Sequence, residues 1–163
     1  MFEREIEETI EIAASPSEIW WQLTNFEGYP DWNPFIIRAE GKVSEGSRVA
    51  VTIKPDSMPA LTLRPKIIVV DPERQLRWRG RMGVPNLFDG EHIFLIESMG
   101  VDRVCFKQRE RFSGIFAPGT LNVIEGRLRK SFRAMNDALR QRAEAAHATR
   151  EAARAAREST HRP

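Results

Sequence analysis

The chain has 163 residues, of which 41% are hydrophobic and 29% are charged, a composition typical of one globular domain. Its formal net charge of +2 is too small to indicate a polyanionic partner. No apolar run approaches the ~20 residues of a membrane-spanning helix, and the glutamate-rich amino end is unlike a secretory signal, so we expect a cytoplasmic protein without an integral membrane segment. Cys105 is the single cysteine, which excludes an internal disulfide and a cysteine-based zinc cluster.

The first element is predicted to be a strand with one apolar face. Ile6, Ile10 and Ile12 alternate with polar residues, which is the period of a strand that has one side in water. Glu8 falls on the apolar side and is the exception to this pattern.

Two short helices are predicted to follow this strand. Ser15, Pro16 and Glu18 have the spacing of a capping box with proline at the first helical position. Gly28 and Pro30 then prevent a long helix, so helical structure is expected to stop within a few turns.

The middle of the chain reads as a series of strands joined by turns. The predicted strands are 35–41, 47–54, 61–71, 74–82, 89–98 and 103–112, with turns that include Pro85–Asn86 and a turn centred near Val101. Short turns make successive strands antiparallel neighbours. With the first strand, they predict a seven-stranded antiparallel sheet.

The chain closes with a long amphipathic helix, predicted from an N-cap at Thr120 to about Ala146. Its apolar stripe is formed by Leu121, Ile124, Leu128, Phe132, Met135 and Leu139. Residues 147–163 consist mostly of alanine, arginine and glutamate, so we expect a frayed or disordered extension of a single domain that spans 1–146.

The hairpin formed by strands 89–98 and 103–112 carries polar residues on its predicted inner face. If Phe94 and Phe106 face inward, strict alternation makes His92, Gln108 and Glu110 face inward as well. A turn near residue 101 places His92 opposite Glu110 and Phe94 opposite Gln108. These polar groups could satisfy one another, contact a ligand or act as an acid/base pair, and a bulge that turns His92 to solvent is a further alternative.

Basic residues share the predicted outer face of the sheet, where a nucleic-acid surface must be weighed against a ladder of ion pairs. Glu91 and Glu97 should stand on the same face as Arg77, Arg79 and their basic neighbours, which favours the ladder. We therefore expect no nucleic-acid partner.

Motifs for other chemistry do not occur in the sequence. No nucleotide-binding glycine pattern or nucleophile elbow occurs, and His147 and His161 lie in the tail, so we expect no cofactor and no metal. Trp20 and Trp78 are predicted to be core residues, whereas Trp21 points elsewhere and is a candidate interface residue.

The order of strand, helix pair, strands and long closing helix is that of the helix-grip fold. The sequence resembles the START-like (SRPBCC) superfamily, specifically its bacterial polyketide cyclase/dehydrase and lipid-transport branch, over roughly residues 5–143. The resemblance is carried by 14–20, 29–35, 76–80, 88–94, 110–114 and 135–139. It implies an α+β fold in which a curved antiparallel sheet grips the last helix and encloses a hydrophobic cavity.

What the resemblance implies for function is binding, and by extension transport, of a small hydrophobic molecule such as a lipid or a polyketide-like aromatic. The expected ligand-binding residues are Trp78, His92, Phe94, Phe106, Gln108, Glu110, Phe132 and Met135, while Leu121 and Leu139 are expected to stay core. One alternative is a cyclase or dehydratase in which His92 and Glu110 move protons. A protein-interaction module that uses Trp21 or the arginine-rich tail is another, and a monomer or a homodimer is expected.

Overall fold

A computed structural model describes residues 3–81 and 88–161 of the protein. The strands are β1 Glu3–Ile12, β2 Ile36–Glu40, β3 Ala50–Ile53, β4 Leu61–Leu63, β5 Lys66–Asp71, β6 Gln75–Arg81, β7 Asp89–Ser98 and β8 Val104–Ser113. The helices are α1 Pro16–Thr24, α2 Tyr29–Trp32 and α3 Ala117–Thr160, with one 3-10 turn at Phe26–Gly28. The predicted α+β architecture with a long closing helix is confirmed. The predicted turn at Pro85–Asn86 and the end of its preceding strand, Met82, lie outside the described residues.

The strands form two antiparallel sheets instead of the predicted single sheet of seven. The larger sheet has the order β1-β8-β7-β6-β5, and the smaller has the order β2-β3-β4. The predicted strand 61–71 is divided at Pro65, which has no N–H to donate to a neighbouring strand. Its first part, β4, pairs with β3, and its second part, β5, pairs with β6. This division separates the two sheets.

Backbone hydrogen bonds nevertheless join the two sheets at one edge. The Val49 N–H donates to the Pro65 carbonyl at 3.0 Å, and the Ile67 N–H donates to the Ser47 carbonyl at 2.8 Å. Residues 47–49 precede β3, so the smaller sheet is connected to β5 before it bends away. The bend leaves space between the sheets.

One of the two hydrogen bonds of the predicted capping box is present at the start of α1. Ser15 Oγ accepts a hydrogen bond from the Glu18 N–H at 3.2 Å, and Pro16 occupies the first turn. The Glu18 carboxylate takes a different role, since it accepts from Gln22 Nε2 at 2.9 Å and is fully buried. Glu18 therefore belongs to the contact between α1 and the rest of the fold.

The closing helix is longer than predicted at both ends. It begins at Ala117, three residues before the predicted N-cap Thr120, because Pro118 is tolerated in the first turn of a helix. It continues to Thr160, whereas a frayed or disordered end was expected from residue 147. High alanine content favours the helical state of this exposed segment.

Two polar contacts dock the extension on the rest of the protein. His147 Nε2 lies 3.3 Å from Asp102 Oδ2 in the β7–β8 turn, and Arg150 Nη1 lies 2.7 Å from Glu18 Oε2 in α1. The second contact is an ion pair rather than an aligned hydrogen bond, and it covers the buried Glu18 carboxylate. The extension therefore reaches back to both α1 and the sheet.

Ion pairs between α3 and β1 account for the one glutamate that broke the strand pattern. Glu8 faces α3 and accepts from Arg129 Nη1 at 3.1 Å and from Arg133 Nε at 2.8 Å. Burial acts to raise the pKa of Glu8, but the two arginines outweigh it, so the pKa lies below its usual value. Arg129 and Arg133 of α3 therefore bind the first strand.

The outer face of the larger sheet is the predicted ladder of opposite charges. Arg79 Nη2 lies 2.6 Å from Glu91 Oε2, Lys107 Nζ lies 3.0 Å from Glu97 Oε1, and Arg111 Nε lies 3.3 Å from Glu5 Oε2.

None of the described helices is both long and apolar enough to cross a lipid bilayer.

Candidate functional site

A cavity of about 450 Å³ lies between the two sheets and the first half of α3. The smaller sheet and its flanks supply Phe35, Ile36, Val51, Ile53, Leu61 and Leu63 to its wall. The larger sheet supplies Trp78 and Phe112, and α3 supplies Ile124, Leu128 and Phe132. Apolar side chains dominate this wall, as is usual in sites for small organic ligands, which have volumes of roughly 300–1,000 Å³.

His92 and Glu110 form a contacting polar pair in the cavity wall, which also includes Arg81 and Thr120. They are opposite each other in the β7–β8 register, and His92 Nδ1 contacts Glu110 Oε2. The His92 side chain is 7% exposed and that of Glu110 is 14% exposed, so both are largely removed from water. The register is the one predicted from the turn near Val101, and the bulge that would have turned His92 to solvent is not seen.

Gln108 holds the other side of the His92 ring. Its Nε2 lies 3.1 Å from His92 Nε2 and 3.3 Å from Met135 Sδ, and the residue is fully buried. Since the amide N–H₂ donates to both acceptors, His92 Nε2 accepts and Nδ1 carries the proton that faces Glu110. Among the described residues, no partner hydrogen-bonds Gln108 Oε1.

Aromatic rings enclose the His92 imidazole. Its centroid lies 4.5 Å from that of Phe94, 5.3 Å from Phe132, 5.7 Å from Trp78 and 6.5 Å from Phe35. Such packing fixes the ring plane and excludes water from the imidazole. The histidine is therefore a rigid support for the Glu110 carboxylate.

Two glycines in register make room in the cavity wall. Gly80 and Gly90 are opposite each other on β6 and β7, and both line the cavity. A Cβ on Gly90 would stand 2.6 Å from Glu110 Oε1, whereas a Cβ on Gly80 would meet its nearest neighbour, Pro65, at 3.8 Å. Gly90 thus leaves space for the carboxylate, and Gly80 leaves space in the cavity.

The loop between β3 and β4 is fastened to α3 at the cavity edge. Ser131 Oγ accepts from the Asp56 N–H at 2.8 Å, and Arg127 Nη1 donates to the Ser57 carbonyl at 2.8 Å. The ion pair with Lys130, at 3.1 Å, lowers the pKa of Asp56. Pro55 and Met58 of this loop line the cavity, so these contacts hold one side of it in place.

The eight predicted ligand-binding residues divide into two groups. Trp78, His92, Glu110 and Phe132 line the cavity. Phe94, Phe106, Gln108 and Met135 are fully buried behind that wall, where they pack against its members. Leu121 and Leu139 are core residues, as expected, and Trp21 is 53% exposed.

The sequence did not lead us to predict that the smaller sheet, the two glycines and Ser131 contribute to the cavity. The glycines had a detectable signal, since each falls on the inner face of a strand whose other inner residues are large. The smaller sheet had no such signal in the sequence, because its position depends on the break at Pro65.

One group of side chains outside the cavity has donors suited to a cation. Ligand atoms of Asp102, His147 and Glu151 lie within 4.8 Å of one another, although the tail histidine was not expected to take part in any such group. His147 and Asp102 already contact each other, so the direct pair accounts for their proximity.

The sequence matches the family model described as polyketide cyclase / dehydrase and lipid transport over residues 3–144. The chain therefore belongs to this family, within the START-like superfamily suggested by its motifs. No match was found among curated proteins.

Solved structures from bacteria and plants share the fold. The aromatase/cyclase Zhui from Streptomyces sp. R1128 is 18% identical with a TM-score of 0.69, over 88% of this chain and 94% of that one. A START superfamily protein from Mycobacterium smegmatis is 20% identical with a TM-score of 0.68, over 86% and 97%. Norcoclaurine synthase from Thalictrum flavum, in complex with dopamine and hydroxybenzaldehyde, is 20% identical with a TM-score of 0.64, over 86% of each chain. At these identities the similarity shows the fold alone.

Proposed function

We propose that the protein binds a small hydrophobic molecule, such as a lipid or a polyketide-like aromatic, in the cavity between its sheets and α3. The cavity itself carries the proposal, because it is wide and mostly apolar and its wall includes the contacting polar pair His92 and Glu110. Burial of apolar ligand surface supplies about 25 cal/mol per Å², and the polar pair orients the ligand. The aromatic molecules in the norcoclaurine synthase complex and the similarity to the aromatase/cyclase Zhui agree with this ligand class.

A cavity-filling variant tests the proposal. Gly80→Val adds a side chain to the cavity wall where a Cβ meets nothing closer than Pro65 at 3.8 Å and where strand structure tolerates a β-branched residue. Naphthalene is titrated into the protein while tryptophan fluorescence is recorded, and freshly purified protein is weighed by native mass spectrometry for a bound molecule. We expect saturable binding that Gly80→Val weakens by about tenfold or more, since the added side chain occupies ligand space.

Thr9→Val is the matched control, because it adds the same side chain to an exposed strand position away from the cavity. It should bind like the unsubstituted protein. The proposal is wrong if no apolar probe saturates, or if Gly80→Val and Thr9→Val bind equally well.

A cyclase or dehydratase is the second candidate, favoured by the contact between His92 and Glu110 at the cavity wall. A carboxylate held by a histidine can take a proton from a carbon acid and return it to a departing hydroxyl. We expect Glu110→Gln to keep saturable ligand binding while turnover at saturating substrate falls by about 10²–10⁴-fold. Full turnover by both Glu110→Gln and His92→Ala on an identified substrate would exclude this mechanism.

A further inference from the structure

We propose that the ligand carries a hydrogen-bond donor, either a hydroxyl or an ammonium group, which Glu110 Oε1 accepts, and that the cavity disfavours anionic ligands. This inference rests on the proposed binding function and specifies the chemistry of the bound molecule. Polar atoms of the cavity wall that already have hydrogen-bond partners are unavailable to a ligand, so the remaining polar atoms determine which ligand groups fit.

His92 has no ring nitrogen left for a ligand. Nδ1 contacts Glu110 Oε2, and Nε2 lies 3.1 Å from Gln108 Nε2 on the core side of the ring. The nearby Met135 Sδ, 3.3 Å from the same amide nitrogen, supports the orientation in which Gln108 donates. In this arrangement both ring nitrogens of His92 are engaged, and Nδ1 donates to Glu110.

The free carboxylate oxygen in the wall is the second oxygen of Glu110, and the neutral hydroxyl of Thr120 also lines the cavity. Oε1 is directed to the surface left open by Gly90, since a Cβ on that glycine would stand 2.6 Å from it. Gly90 and Glu110 both line the cavity, and the contacts seen for Glu110 among the described residues involve Oε2. A carboxylate oxygen in an apolar wall needs a hydrogen-bond donor, which an unsubstituted hydrocarbon cannot supply.

The charges at the cavity favour a donor over an anion. Arg81 is the cationic residue among the described lining residues, but its side chain is 57% exposed and its Nε lies 3.9 Å from Asp89 Oδ1. Its charge is therefore hydrated and has an acidic neighbour, whereas Glu110 is only 14% exposed. An anionic ligand would meet the less screened, negative group.

Four probes with one ring system test the inference by isothermal titration calorimetry: naphthalene, 2-naphthol, 2-naphthylmethylammonium and 2-naphthoate. We expect 2-naphthol or the ammonium compound to bind about tenfold or more tightly than naphthalene, the range for a hydrogen bond to a charged group, and 2-naphthoate to bind weakest. Whichever donor binds more tightly identifies the hydroxyl or the ammonium as the preferred group.

Glu110→Gln should abolish the advantage of the donors over naphthalene. Glu97→Gln, which removes a charge that pairs with Lys107 on the outer face of the same sheet, should keep it. If Glu110→Gln does not fold by circular dichroism, Gly90→Ala replaces it, because its added Cβ displaces Oε1 while the carboxylate is retained.

The remaining outcomes separate this inference from the proposed function. Equal affinity for naphthalene and the donors, or tightest binding of 2-naphthoate, overturns the inference and leaves apolar binding intact. If none of the four probes binds saturably, the proposed function fails and the inference fails with it.

Discussion

A chain of contacts joins Gln108, His92 and Glu110. The contact at each residue determines which polar atoms of the next residue are free. The buried Gln108 amide occupies His92 Nε2, so the imidazole directs its one proton to Glu110. Glu110 is left with one oxygen for the cavity. In the proposed function the histidine acts as a positioning residue, and the carboxylate is the group expected to meet a ligand.

Gly90→Ala should disturb this chain while leaving the fold intact. The new Cβ would stand 2.6 Å from Glu110 Oε1, so the carboxylate must move, but the free energy of unfolding should change by only about 1 kcal/mol because alanine suits a strand better than glycine. NMR of the imidazole should show shifted His92 ring resonances. Gly80→Ala, at the paired position with 3.8 Å of clearance, should leave them unchanged. Equal shifts in both variants would contradict the proposed contact.

At the scale of elements, α3 unites the parts of the molecule. Its first half covers the cavity through Ile124, Leu128 and Phe132. The same half binds β1 through Arg129 and Arg133, and the extension reaches α1. The helix is therefore stabilised by tertiary contacts along most of its length rather than by propensity alone.

Arg150→Ala should destabilise the protein although Arg150 lies in the alanine-rich extension. Its removal leaves the fully buried Glu18 carboxylate short of a charged partner, which costs about 1–3 kcal/mol in the free energy of unfolding. Arg154→Ala, which breaks an exposed pair with Glu158 one turn further on, should cost about 0.5 kcal/mol or less. Urea unfolding measures both. Equal stability of the two variants would show that the extension does not dock through Arg150.

Acid should loosen the contact between β1 and α3. The pKa of Glu8 is lowered in the folded protein, so its contribution is present above the ordinary glutamate pKa and is lost as pH falls through the lowered folded value. Glu8→Gln should therefore lose less stability than the unsubstituted protein between neutral pH and pH ~3, as measured by urea unfolding. Glu97→Gln, at an exposed position, should behave like the unsubstituted protein. Identical acid sensitivity in all three proteins would exclude Glu8 as a source of the loss of stability in acid.

At the scale of the whole molecule, the cavity exists because two sheets and one helix meet without filling the space between them. A ligand there contacts all three layers and so stabilises the folded protein by mass action. At a ligand concentration of 100 times Kd the gain is about 2.7 kcal/mol, which corresponds to a rise in Tm of about 5–10 °C for a chain of this length.

Thermal unfolding with the tightest-binding naphthalene derivative should show this rise in the unsubstituted protein and in Thr9→Val. At the same ligand concentration Gly80→Val should show a clearly smaller rise, because the ligand space is filled. A rise of the same size in Gly80→Val would place the binding site elsewhere on the molecule.

The sequence by itself determined the element order, the inner face of the larger sheet and the pairing of His92 with Glu110. These follow from local rules: alternation sets which side chains share a face, and a short turn sets the register of a hairpin. Periodicity predicted the apolar stripe of α3 in the same way, and Leu121, Phe132 and Leu139 of this stripe are buried.

Only the tertiary structure decided where the cavity lies and which residues border it. The break at Pro65 turns one predicted sheet into two, and the resulting angle brings Leu61 and Leu63 opposite α3. The contacts of Glu8 with Arg133 and of Glu18 with Arg150 join residues more than a hundred positions apart. Periodicity describes one element at a time, whereas a cavity and a long-range ion pair depend on how several elements pack together.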